Sequence, residues 1–235
     1  MSENIKKITK AFVVNLDSRE NQNIILSTRP FNHQAHQVNE VAKKIYKLIK
    51  DTKHPNDDII LNHNEIKEAF FSPFKPQLKD AQVFLSHSHA DRNKALEVKN
   101  YLESETDHRV FIDSLFWDYK NNILKEMKKH HINVSKIEDA FTLILRESLQ
   151  DMIEKCPYFV FLESDNSVSN QGLSCTTYSA WIYEELKIAN GLIADSALQA
   201  RIKAMRVSHN ITNLLRRFKS ISLDSLCNEI FSILL

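Results

Sequence analysis

Apolar positions along the chain fall into short runs and helical stripes that alternate from about residue 80 onward. AQVFLSH (81–87) and HRVFID (108–113) read as short β-runs. YFVFLES (158–164) is apolar almost throughout, as a strand covered on both faces should be. Between them HADRNKALEVKNYLE turns Ala95, Val98 and Leu102 to one side, and the stretch on to about His131 reads as helical or irregular. Ser135 and Glu138 form a capping box that opens a helix carrying Ile137, Phe141, Leu145, Leu149 and Met152. A polar loop from Asp165 to about Ser179 leads into the helix AWIYEELKIAN. Beyond Gly191, Ala204 to Ser208 is a candidate strand, and LDSLCNEIFSIL, begun by Ser222, is a closing helix. Strands alternating with helices predict an α/β fold: an open parallel sheet with helices on both faces, and 81–86, 109–113 and 158–163 as adjacent strands.

The first 76 residues form a different pattern. AFVVN (11–15) and NIIL (23–26) are strand-like, and Val38, Val41, Ile45 and Ile49 recur as one face of an amphipathic helix. FFSPFKPQ, with Pro73 and Pro76, cannot continue a helix and marks the boundary. The expected division is an N-terminal α/β extension over 1–76 and a main domain over 77–235. Because the extension's apolar faces need a partner surface, it is expected to dock on the main domain.

Composition removes several function classes. Basic and acidic residues number 31 and 30, a formal net charge of +1, which gives no electrostatic case for nucleic acid or an anionic membrane. The apolar runs are too short to span a bilayer, and MSENIKKITKAF has no signal-peptide core, so a cytoplasmic protein is expected. Cys156, Cys175 and Cys227 form no C-x-x-C pair and read as free thiols. Gly172 and Gly191 are the only glycines, too few for a G-x-G-x-x-G turn or a Walker loop. Any nucleotide must be held another way.

Three segments carry candidate chemistry. On a wheel of about 100° per residue counted from Trp181, the apolar arc of Ile182, Leu186, Ile188 and Ala189 encloses Glu185 and leaves Glu184 at its margin. A carboxylate inside an apolar stripe is costly unless it is paired or employed, so Glu185 is either one half of a structural ion pair or a working group. Ser86-His87-Ser88-His89-Ala90-Asp91 lies where a strand gives way to a helix, the natural ligand crevice of an open α/β sheet. Its H-x-H-x-D pattern resembles the metal motif of metallo-β-lactamase-like hydrolases, but Arg92 stands where the last histidine belongs, and no metal is expected. The plain alternative is a helix start capped by Ser88 or Asp91. Asp113 and Ser114 end the second strand on the same sheet edge, followed by Phe116 and Trp117 in a loop suited to packing down, ligand contact or self-association.

QVFLSHSHAD, RVFIDSLFW, and YFVFLES followed by SAWIYEEL resemble, in this order and spacing, the TIR (Toll/interleukin-1 receptor) family, and bacterial TIR proteins in particular. The resemblance covers roughly residues 80–190 and implies a flavodoxin-type parallel sheet. It places Glu185, four residues after Trp181, at the catalytic glutamate of the W-x-x-x-E helix. The implied activity is cleavage of the nicotinamide–ribose bond of NAD⁺, to nicotinamide and ADP-ribose or a cyclic ADP-ribose signal, in bacterial antiphage immunity. NAD⁺ is then substrate and no separate cofactor is implied. Ser86, His87, Ser88, Asp113, Ser114, Trp117 and Trp181 become candidate substrate contacts, and self-association or an effector protein of the same pathway the implied partner. The alternatives are a non-catalytic TIR assembly module and a nucleotide sensor.

Overall fold

Residues 10–15, KAFVVN, form the first strand, β1 (Lys10–Asn15), whose consecutive apolar side chains, two of them β-branched, are buried from Ala11 to Val14. In the computed structural model the described residues are 10–27, 43–48, 62–71, 80–129, 135–171, 174–193 and 209–231. Four further strands, β2 (Ala81–Ser86), β3 (Arg109–Ile112), β4 (Tyr158–Glu163) and β8 (Lys219–Ser220), complete a parallel sheet in the order β3-β2-β4-β1-β8. The three strands expected to be adjacent are adjacent and parallel. β4 is buried from Tyr158 to Leu162 on alternate sides alike, so both sheet faces are covered. Phe159 stacks on Phe84 at 5.6 Å and meets Phe218 edge-on at 5.5 Å.

The chain divides into two compact units, 1–31 with 81–112 and 150–235, and 32–80 with 113–149. In the first, α1 (Arg19–Ser27), α3 (Arg92–Thr106), α6 (Ala180–Leu192) and α8 (Leu223–Phe231) flank the sheet, and the single turn α7 (Thr212–Leu215) lies between the last two in the chain. α3 buries Ala95, Val98 and Leu102, as its stripe requires, and ends at Asp107, whose φ of 54° closes the helix in the left-handed region that Asp tolerates. The second unit contains a helical stretch at 43–48, α2 (His63–Phe71), α4 (Ser114–Lys128) and the greater part of α5 (Ser135–Lys155). Its core is Ile45, Ile66, Phe70, Ile123, Leu124, Met127, Phe141 and Ile144, with the Phe70 and Phe141 rings 5.0 Å apart.

Three sequence readings are corrected. NIIL lies in helix α1, not in a strand. Ser18 caps that helix, its hydroxyl accepting from the Asn21 amide at 3.3 Å, and only Ile25 turns fully inward while Leu26 stays exposed. Phe116 and Trp117 lie in helix α4, not in a loop. The polar stretch after β4 is not all loop: β5 (Ser169–Gln171) and β6 (Ser174–Thr177) pair antiparallel, and β7 (His209–Asn210) joins β6. Val38, Val41, Ile49, the Pro73–Pro76 boundary and Ala204–Ser208 lie outside the described residues.

Candidate functional site

In the sheet β3 lies on one side of β2 and β4 on the other, so the strand order reverses at β2. Connections that leave in opposite directions open a crevice beyond the carboxyl ends of β2 and β4, where ligands settle in open α/β sheets. Ser86 is the last residue of β2, in register with Phe161 of β4, and has no exposed surface.

Glu185 reaches that same point from α6. Ser179 fixes where the helix starts: its hydroxyl accepts from the Ile182 amide at 3.2 Å, and its own amide donates to the Thr177 hydroxyl at 3.2 Å. The buried face of α6 is then Ile182, Glu185, Leu186 and Ala189, the arc drawn from the sequence. Glu185 is 0% exposed, and its Oε2 accepts a hydrogen bond from the Ser86 hydroxyl at 2.5 Å. Glu184 and Trp181 are half-buried. At the far end of α6, Arg217 donates to the carbonyls of Asn190 (2.9 Å) and Ile193 (2.7 Å), meeting the negative end of the helix with a cation.

A second buried carboxylate stands on the loop after β2. Asp91 is 2% exposed, accepting from the Ser164 hydroxyl and, at 2.9 Å, from the Asn166 side-chain amide. The loops that follow β2 and β4 are thereby tied together. Neither Ser88 nor Asp91 makes the side-chain cap bond that a plain helix start would use. Beside them Asp17, after β1, accepts from the Asp165 amide (3.0 Å) and the Lys94 ammonium (3.1 Å), and these contacts hold its carboxyl below the usual range. Glu163 shifts the other way: burial, and then the charge of Asp17, raises its carboxyl.

No family model matches the chain, and no solved structure matches it. A curated protein of Bacillus cereus (strain MSX-D12), named probable 3′ cyclic ADP-D-ribose synthase ThsB′, aligns with it at 26% identity over 166 residues, 71% of each chain. This chain is similar to that synthase.

Of the residues singled out in the sequence, the structure joins Ser86 to Glu185 and sets Trp181 one turn before it on α6. His87 is buried beside Ser86 in the chain, and Ser88 is half-buried. Asp113 and Ser114, both buried, belong to the second unit with α4. The Trp117 side chain lies outside what the structure describes. Ser164, Asn166 and Arg217 were not legible as partners. Their signal was weak: Ser164 stands just past the apolar run, after Glu163, where strand ends present polar groups to a crevice. Among the described residues no three His, Cys, Asp or Glu side chains converge as metal ligands, and no helix is long and apolar enough to cross a membrane.

Proposed function

We propose that this chain cleaves the nicotinamide–ribose bond of NAD⁺. The observation that supports it is Glu185, a fully buried carboxylate held by a strand-end hydroxyl at the switch point of a parallel sheet. The similarity to a protein named as a cyclic ADP-ribose synthase points to the same chemistry. In this reaction the bond between ribose C1′ and the pyridinium nitrogen breaks, and its electron pair leaves with nicotinamide as a neutral ring. The leaving group needs no proton, so a single carboxylate serves where glycosidases need two. Glu185 offsets the positive charge that develops on the ribose, an interaction stronger in the transition state than in the ground state. Trp181 offers an aromatic face one turn away. Water attacking C1′ gives ADP-ribose. Attack by the adenine or ribose of the same molecule, with loss of its proton, closes a cyclic ADP-ribose, the product class in the relative's name. The setting that goes with this chemistry is defence signalling, with self-association or an effector protein as partner.

The test is nicotinamide release by the purified full chain. Glu185→Gln keeps the side chain's size and removes its charge, and turnover is expected to fall at least about a hundredfold with the melting curve unchanged. Glu184→Gln is expected to keep wild-type turnover. A folded Glu185→Gln protein that turns over NAD⁺ normally removes the assignment.

A further inference from the structure

Read from the sequence, Ser86 was a candidate wall of the substrate site. The structure adds a contact to that reading: the Ser86 hydroxyl donates to Glu185 Oε2, and both residues are fully buried. We infer that Ser86 is a positioning residue, whose hydroxyl fixes the plane and reach of the Glu185 carboxylate. The inference rests on the proposed role of Glu185 and adds what that role requires of its neighbour.

Three features carry it. Ser86 ends an interior strand, paired with β3 on one side and β4 on the other, so its position is as fixed as the sheet itself. Glu185 sits on a helix whose first turn is capped by Ser179 and whose last is capped by Arg217, so the Cα of Glu185 is fixed too. Between those two anchors the glutamate still has three rotatable bonds, and the 2.5 Å hydrogen bond from Ser86 restrains them toward one arrangement. A hydroxyl bonded to a carboxylate is also a charge-assisted contact that favours the ionised form, opposing the burial that disfavours it. Losing the hydroxyl removes that restraint and leaves a carboxylate that takes up a proton more readily.

Ser86→Ala in the full chain is expected to lower kcat for nicotinamide release about ten- to a hundredfold at pH 7, with KM nearly unchanged. The acidic limb of the kcat/KM profile is expected to move up by about one pH unit or more. Ser86→Thr, which restores a hydroxyl, should recover most of the loss. A readout independent of turnover is the ¹³C titration of the Glu185 carboxyl, identified as the signal missing from Glu185→Gln; its midpoint should rise by a similar amount in Ser86→Ala. Loss of activity with an unmoved midpoint would mean a structural role only and overturn the inference. So would wild-type kcat and an unmoved acidic limb in Ser86→Ala while Glu185→Gln is dead, and in that case the catalytic reading of Glu185 survives. Normal turnover by Glu185→Gln would instead remove the underlying reading, whatever Ser86→Ala does.

Discussion

Replacing Asp91 by alanine removes the acceptor of two hydrogen bonds from a site that is 2% exposed. Each bond joins a neutral donor to a carboxylate, a class of contact that contributes about 1.5–3 kcal/mol net. Water cannot replace the lost acceptor at so buried a position, so the buried Ser164 hydroxyl loses its partner at close to full cost, whereas the exposed Asn166 amide can turn to water. Against this, the alanine protein no longer has to bury a charge, which returns part of the sum. The expected net loss is about 2–4 kcal/mol, or roughly 4–16 °C in Tm for a chain of this size. Asp91→Asn keeps the shape and one acceptor oxygen, and the Ser164 hydroxyl can turn to accept from the new amide, so about 1 kcal/mol is expected there. Urea denaturation followed by circular dichroism measures both. A double-mutant cycle with Ser164→Ala isolates the contact, with an expected coupling of about 1–2 kcal/mol. If Asp91→Ala unfolds within about 0.5 kcal/mol of wild type, or the two alanine changes simply add, the tie between the β2 and β4 loops contributes nothing and the reasoning is wrong.

Two other perturbations probe the frame around the site. Arg217→Ala takes a guanidinium from the carboxyl end of α6 and is expected to cost about 1–3 kcal/mol, with faster amide exchange in the last turn of that helix; Arg217→Lys should recover only part, lacking the planar fork. Unchanged exchange in Arg217→Ala would deny the cap. Glu229 on α8 is hydrogen-bonded by Lys10 of β1 and Lys219 of β8, and these contacts hold its carboxyl at about 2. Since its folded value lies below the unfolded one of about 4.5, its contribution is fully present above that value and fades as pH falls towards about 2. Glu229→Gln should therefore flatten the stability curve over that window, and parallel curves for the two proteins would contradict the pairing.

The parts of this fold that were legible in the sequence are those whose burial is regular. AQVFLS, RVFI and YFVFLE announce strands because nearly every position is apolar, and Glu185 stands out because a helix of known period puts it among Ile182, Leu186 and Ala189. NIIL misled because three consecutive apolar residues fit a strand and a helix equally well, and what decides is the cap at Ser18, a polar signal outside the run. The hairpin of β5 and β6 is short and polar on both faces, so it leaves no apolar pattern to find. The bond from Asp91 to Ser164 spans 73 positions, and no local pattern encodes a partner at that distance. The place of β1 in the sheet escaped for the same reason: its apolar residues say that it is buried, not between which strands.

That place sets a constraint on how the molecule comes into being. β1 leaves the ribosome before every other strand of its sheet, yet the strand it pairs with along its whole length, β4, follows about 140 residues later, and β8 later still. At translation speeds of about 5–20 residues per second, the apolar KAFVVN run waits roughly 7–30 s with both its edges open. A vectorial assembly that seals each element as it emerges is ruled out by the strand order. Closing the sheet has to bring β1 together with β4 and β8, and until it does, an unsheltered β-edge is offered to chaperones or to other nascent copies.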